Sequence, residues 1–588
     1  MTSLRKDFLN WWERMEWRLT AITALLGFVL GCLGFWRQYE SLGLPDSAWN
    51  WTDVVYGTIQ LFLVQVVAEE GSAGWPMTLQ VARFLAPLAV FWAAIRGLLV
   101  VVHGRVQDRR WERSLASSEG HVVLLGSDGI SSCLMERLID SGDDVVRILD
   151  DDRIEAFFEG RHRAFGPYAM GEALKRARIE HAREVVVATG DDHQNIRQVE
   201  EIRQTLAARG NPGSPVPCLV EMGPDRGSPL HEQEAANRLA GEGLLAVRLF
   251  QPERVPARVL VDRKPPHQER MPDRGDPPIH ALVIGFESLG REVVRQLIRV
   301  CHYPDLSRVR LTVVAEGAMR EWRRFQKQVP ALGDVAEVAF MDADPGAMND
   351  GDWDRMQEAG PFDIIYITTA DQEDAFAVAL DARDGLGSAR LRTRVIMCGH
   401  RSAFIDAEGA ADHGVDVFDH PREAWTVENL LRDEIEKAAM GIHERYHANR
   451  QSKSDYGDRP ADRPWEQLHE HLRDGNRDQA DHIPVKLQVL GVSASELIAR
   501  ASGAEGEDAP SLEIGESELE ALAEMEHRRW WASAALSGQV LGPERNSRLR
   551  HHPDMRPYAD LDEPTRQYDR DAVVGLPGLL RYLEGWNA

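Results

Sequence analysis

The sequence predicts three successive architectures in one chain: an α-helical membrane module with two spans, two tandem parallel α/β units, and a mainly α-helical region built on a duplicated sequence. Two long apolar runs near the N-terminus predict the first, because each can cross a hydrocarbon core of roughly 30 Å at about 1.5 Å per residue. Strands alternating with amphipathic helices, twice over, predict the second. A set of residues recurring at matched spacings near the C-terminus predicts the third.

At 588 residues the chain is long enough for roughly three to five domains. Its formal charge of -26 excludes a general nucleic-acid binder, since such a surface repels phosphate unless a basic block is set apart within it. Cys32, Cys133, Cys218, Cys301 and Cys398 are widely spaced, form no CxxC or Cys/His metal pattern, and suit a reducing compartment.

Residues 1–18 form a cytoplasmic N-terminal segment, and residues 19–106 the membrane module. Leu19 to Trp36 is uncharged and ends in Trp36, Arg37 and Tyr39 rather than a small-residue cleavage site, so it reads as a retained first span. Phe84 to Val102 is the second span. Its Arg96 either snorkels to the inner interface or faces a water-filled path. Arg5, Lys6, Arg14 and Arg18 precede the first span, and Arg105, Arg109, Arg110 and Arg113 follow the second. The positive-inside rule then places both termini in the cytoplasm of a multi-pass protein of the cell's inner (plasma) membrane.

Between the spans, Asp53 to Val67 is apolar but short, as a re-entrant helix is, and Glu69-Glu70-Gly71 follows it. This order resembles the pore module of two-helix cation channels. Glu69-Glu70-Gly71 resembles the acidic filter region of Castor/Pollux-type channels, and no TVGYG-like filter is present. In a tetramer around an axis, Glu69 and Glu70 would form carboxylate rings that concentrate cations; the alternative is a solvated loop.

The first α/β unit, residues 119–265, opens with strand His121 to Leu125, the turn Gly126-Ser127-Asp128-Gly129, and a strand ending at Asp150. The second, residues 279–435, repeats the plan with strand His280 to Gly285, the turn Phe286-Glu287-Ser288-Leu289-Gly290, and a strand ending at Glu316. Lys264 to Pro278, rich in Pro and charge, links them. This succession resembles the RCK or TrkA-N domain that regulates potassium channels and transporters, a Rossmann-like fold. The resemblance implies a cytoplasmic ring that gates a pore. The three fingerprint glycine positions read Gly126, Asp128 and Ser131 in the first copy, and Gly285, Glu287 and Gly290 in the second. A carboxylate stands where phosphate would sit in both, so NAD binding is not expected at these degenerate turns. Asp150 or Glu316 is the ribose ligand if it survives.

Residues 436–588 carry the duplication. His443-Glu444-Arg445-Tyr446 and His527-Arg528-Arg529-Trp530 share the pattern His-x-Arg-aromatic, and a Pro-aromatic-x-x-Leu box follows each, at Pro464 and Pro557. Arg477 and Arg570 then lie nine residues past the box leucines Leu468 and Leu561, with Pro484 and Pro577 seven further on. The second half closely resembles the RyR domain, the repeat named from ryanodine receptors, and the first half looks like a diverged partner. The resemblance implies a ligand-sensing or assembly module without catalytic chemistry. Two readings of its side chains stand. His527, Arg529, Trp530, Tyr558 and Arg570, with their counterparts His443, Arg445, Tyr446, Trp465 and Arg477, could stack a base and neutralise a phosphate. Alternatively the aromatics are core residues and the arginines pair with acids inside the fold.

No nucleophilic elbow, metal motif or P-loop occurs, so enzymatic activity is not expected. The favoured reading is a ligand-gated cation channel, with potassium a candidate ion, a tetrameric homo-oligomer in lipid, and a small cytoplasmic ligand such as a nucleotide or Ca2+. The alternative is a membrane-anchored sensor or stress effector that permeabilises the membrane or signals without conducting.

Overall fold

The computed structural model describes residues 2–43, 49–65, 74–95, 120–127, 129–149, 157–159, 162–165, 169–209, 214–223, 238–239, 243–358, 360–369, 372–385, 393–399, 407–431, 436–451, 456–457, 459–468, 470–492 and 514–579. The chain divides into two compact units, residues 1–117 and 118–588.

The first unit holds α1 (Thr2–Ser41), α2 (Trp51–Phe62) and α3 (Met77–Ile95). Ala21–Ser41 and Met77–Ile95 are long and apolar enough to cross a membrane, with mean hydropathies of 1.4 and 1.5. Glycines on α1 permit close packing: a Cβ at Gly34 would strike the Leu79 backbone, and one at Gly31 would press on Thr58 and Leu61. Around them pack Cys32, Phe35, Val54, Leu61, Leu79, Ala82 and Ala86. Leu25, Val29 and Leu33 on α1 and Phe84, Leu88 and Phe91 on α3 are exposed.

Two boundaries differ from the sequence-based expectation. The second span starts at Met77 rather than Phe84, because Pro76 sets the helix start and Leu79 and Gln80 donate to its carbonyl. The polar Thr78, Gln80 and Arg83 mask this start in a hydropathy reading, while residues 96–102 of the predicted span lie outside the described residues. The intervening helix begins at Trp51 because Asn50 and Asp53 close a capping box, and it ends at Phe62 before Val64 turns into the left-handed region, φ 57°.

The second unit contains two sheets. In the first, β1 (Val122–Leu125), β2 (Val145–Ile148), β3 (Phe157–Glu159), β4 (His162–Phe165), β5 (Glu184–Val187), β6 (Val216–Glu221) and β7 (Leu245–Phe250) lie in the order β3-β4-β2-β1-β5-β6-β7. The pair β3/β4 is antiparallel and the other pairs are parallel. The second sheet has the order β10-β9-β8-β11-β12-β13, built from β8 (His280–Ile284), β9 (Val309–Val314), β10 (Ala336–Met341), β11 (Ile364–Ile367), β12 (Arg394–Cys398) and β13 (Val415–Phe418), all parallel. Outward growth of strands on both sides of β1 and of β8 is the doubly wound dinucleotide-fold arrangement. Continuous apolar strands such as VVLL and IIYI arise because helices cover both faces.

α4 (Gly129–Asp140) and α5 (Asp192–Arg209) belong to the first sheet, and α7 (Ser288–Val300) to the second. Between the sheets runs α6 (Arg254–Arg263), with Val255, Ala257, Val259, Leu260 and Val261 buried. The predicted linker is pinned rather than loose: the Tyr366 hydroxyl donates to the Lys264 carbonyl (2.6 Å), and Arg270 pairs with Asp363. One apolar cluster extends from Leu124 through Leu260 and Leu297 to Ala532.

Beyond residue 436 come α8 (Lys437–Gln451), α9 (Glu470–Asp481), α10 (Ile483–Val489), α11 (Glu516–Leu536), α12 (Glu563–Val574) and α13 (Leu576–Leu579). Short 3-10 turns at Trp465–Gln467 and Tyr558–Asp560 precede α9 and α12. The two halves share a core of Ile442, Leu487, Leu522, Met525, Val573 and Leu579.

Candidate functional site

Glu69, Glu70, Gly71, Asp128 and Asp150 lie outside the described residues. The helix that leads to the first three is described. α2 starts beside α1 at Trp36, whose ring lies 6.2 Å from that of Trp51, and its last turn packs at Gly31 in the middle of Ala21–Ser41. α2 therefore runs from the end of the first span to its middle, where its C-terminal carbonyls carry partial negative charge.

In the first α/β copy, Gly126 has φ 131°, and a Cβ there would collide with the Ala188 carbonyl. Arg147 of β2 reaches across the turn: Nε donates to the Gly126 carbonyl (3.0 Å), and Nη2 donates to Ser131 Oγ (3.0 Å) and Ser132 Oγ (2.9 Å). Gly129 opens α4 with free space at its Cβ position. In the second copy, Gly285 has φ 99°, and a Cβ at Gly290 would strike the Gly285 carbonyl and the Thr368 hydroxyl. The first and third fingerprint glycines are thus required there by turn geometry and helix packing. Glu287, exposed and extended, precedes α7 without capping it, and Glu316 is exposed beyond β9.

The two halves of the C-terminal region share a framework of bonds around their histidines and Pro-aromatic boxes. His443 Nε2 bonds the Arg463 carbonyl at 2.7 Å, and His527 Nε2 bonds the Arg556 carbonyl at 2.8 Å. His443 lies 6.0 Å from Trp465 and stacks near Tyr446; His527 lies 6.0 Å from Tyr558 and stacks on Trp530. Arg473 covers Trp465 and Arg566 covers Tyr558, at 5.6 and 5.8 Å. Arg477 binds Glu436 (2.5 Å) and Asp474 (2.7 Å), while Arg570 binds Glu520 and Glu563.

Residues 122–210 match the TrkA-N domain family, and residues 514–586 match the RyR domain family. The chain carries a TrkA-N domain and a RyR domain. A comparison with curated proteins finds no match. Among solved structures, GsuK bound to ADP is similar at 15% identity and a TM-score of 0.36, over 71% of this chain and 96% of that one. The GsuK channel bound to NAD is similar at 13% identity and a TM-score of 0.36, over 71% and 83% of the two chains. A dipicolinate synthase chain from Bacillus halodurans shows 11% identity and a TM-score of 0.21, over 53% and 96%.

Within the RyR domain and its partner copy, the predicted site residues are held by internal bonds. Arg529 is buried against Glu526 (2.8 Å), Arg445 donates to the Asp571 carbonyl (3.3 Å), and the Tyr558 hydroxyl donates to Glu520 (3.2 Å). The acids that hold the arginines were missed in the sequence reading, yet Glu436 and Glu520 each stand seven residues before His443 and His527. That repeat spacing is the signal that finds them.

Charged bonds also fasten the RyR pair to the α/β copies. Arg258 of α6 binds Asp481 (2.8 Å) and Glu436 (2.9 Å), and Arg254 binds Asp474 (2.7 Å). From α7, Gln296 donates to Asp481 (2.8 Å) and Arg299 pairs with Asp478 (3.4 Å). Lys486, fully buried, pairs with Glu526 at 2.5 Å; burial lowers its pKa and Glu526 opposes that. His482 bonds the His302 carbonyl at 3.0 Å, and burial pushes the His302 pKa down to about 3. Among the described residues, no group of His, Cys, Asp or Glu could hold a metal ion.

Proposed function

We propose that the chain is a subunit of a ligand-gated cation channel, with both termini cytoplasmic, a homotetrameric pore, and the RyR pair sensing a nucleotide-like or ionic signal. The observation that carries this reading is α2, a capped 12-residue helix that packs from the end of the apolar span Ala21–Ser41 to its middle. A membrane anchor has no use for such a half-depth helix, whereas a pore uses its negative C-terminal end to favour cations. The TrkA-N domain and the second α/β copy act as the gating element in this scheme. The charged bonds from the RyR pair to α6 and α7 give a ligand-driven shift a stiff path into that element.

The test is current through purified protein in planar bilayers under asymmetric KCl and NaCl, with nucleotides and Ca2+ added in turn to the cytoplasmic face. Ligand-dependent unitary currents that favour cations are expected, reduced at least severalfold when Glu69 and Glu70 become Gln. Silence under every ligand from an intact oligomer overturns the channel in favour of a membrane-anchored sensor.

A further inference from the structure

The RyR pair treats charge differently in its two copies. In the first, Asp462 lies beneath the Pro-aromatic box: Arg450 donates to it from Nε (3.1 Å), and the Gly457 amide donates to it as well (3.0 Å). These bonds, Arg450's foremost, hold its pKa down at about 2. The aligned position in the second copy is Met555, fully buried and uncharged. Residues 542–556 there contain Arg545, Arg548, Arg550 and Arg556 against Glu544 and Asp554.

Arg545, Arg548 and Arg550 are exposed, and among the described residues none of their side chains makes a hydrogen bond or ion pair. They are nevertheless positioned. Val540–Leu541 pairs with His551–His552, Asn546 and His551 exchange backbone bonds (3.0 and 2.9 Å), and Asn546 Oδ1 accepts the Leu549 amide (3.0 Å). Such a braced loop binds without first ordering itself. At its base, the half-buried Trp530 meets His552 edge-on with centroids 4.8 Å apart, and His552 also faces Asp554 (3.7 Å). Burial depresses the His552 pKa, and the nearby Arg545 depresses it further.

We infer that the second RyR copy, and not the first, holds a ligand bearing two or more phosphates, gripped by Arg545, Arg548 and Arg550 beside the Trp530–His552 pair. This rests on the sensing role proposed above for the RyR pair. Three unpaired guanidiniums on a chain of net charge -26 match a polyphosphate rather than a single carboxylate, because guanidinium forks bind phosphate bidentately. Trp530 adds a surface on which a base can stack. The equivalent stretch of the first copy, residues 449–463, does not offer such a surface: it sets Asp455, Asp458 and Asp462 among its basic residues, and its Arg450 is already bound to the buried Asp462.

The experiment titrates the full chain in detergent micelles with inorganic tripolyphosphate and with ATP, followed by calorimetry. One site per chain is expected. The exposed double change Arg545→Glu, Arg550→Glu weakens both probes at least tenfold, and Met555→Asp, which transplants the first copy's acid, acts in the same direction. Arg459→Glu in the first copy leaves binding unchanged. Undiminished binding in the double variant, or an equal loss from Arg459→Glu, overturns the assignment. Binding is read without current, so a channel that still answers a nucleotide after the loop is reversed sinks this site and spares the channel. Tight binding by a silent protein does the opposite.

Discussion

In the first copy of the RyR pair, Arg477 is 9% exposed and lies between Glu436 and Asp474, with Arg258 on the far side of Glu436. In the second copy, the equivalent Arg570 reaches Glu520 and Glu563, whose side chains are 43% and 67% exposed. The two copies share their histidine bonds, their covered aromatics and their arginine-glutamate pair. They differ in the surroundings of that pair: the acids around Arg477 are largely buried beside α6 and α7, while those around Arg570 face water. A duplicated sequence has thus been used once as a structural joint and once as a surface.

The largest effect that could break this comparison is in the arginines. Arg477→Ala leaves the buried Glu436 and Asp474 with only Arg258 and Arg254 to oppose them and is expected to cost at least about 3 kcal/mol, whereas Arg570→Ala leaves solvated acids and hardly moves the melting temperature. Equal shifts in thermal unfolding of the two purified variants would show that the copies are equivalent after all.

Acid titration sharpens the same contrast. Burial raises the Glu436 pKa, but the Arg477 and Arg258 guanidiniums outweigh it and hold the carboxyl at about 2, below the ordinary 4.5. Its folded pKa is depressed, so its contribution, on the order of 3 kcal/mol, is complete above pH 4.5 and is lost as pH falls toward 2. Glu436→Gln should flatten the stability profile in that window. A profile that keeps its slope there places the acid sensitivity in other carboxylates.

The smallest effect concerns what the copies share. His443→Ala and His527→Ala each leave a carbonyl, that of Arg463 or Arg556, without its ring partner. Each should cost about 1–3 kcal/mol, and the two losses should agree. A marked inequality in denaturant midpoints would mean that the shared scaffold is not energetically shared.

The fold class was legible from the sequence where a period governed it. The uncharged run from Leu19, the β-branched strands VVLL and IIYI, and the spacing from His527 to Arg570 follow from membrane thickness, sheet burial and repetition. The start of α3 at Met77 was hidden by polar residues that hydropathy averages away. The site was less legible still. Both uses of an arginine, binding a ligand or binding a neighbouring acid, look the same in one dimension, and only the structure shows Arg529 beside Glu526, or Arg545 exposed and without a hydrogen bond or ion pair from its side chain among the described residues.

By itself, the sequence determined two membrane-length helices, two parallel α/β copies and a duplicated helical region, because periodicity and spacing are properties of the chain. Tertiary structure decided that Lys264 to Pro278 is pinned, that the acids holding Arg477 are buried while those holding Arg570 are exposed, and that Met555 lies in the core beside the loop of arginines. These depend on which surfaces meet. A charge's partner and its exposure are set by contacts between residues far apart in sequence, which no local pattern records.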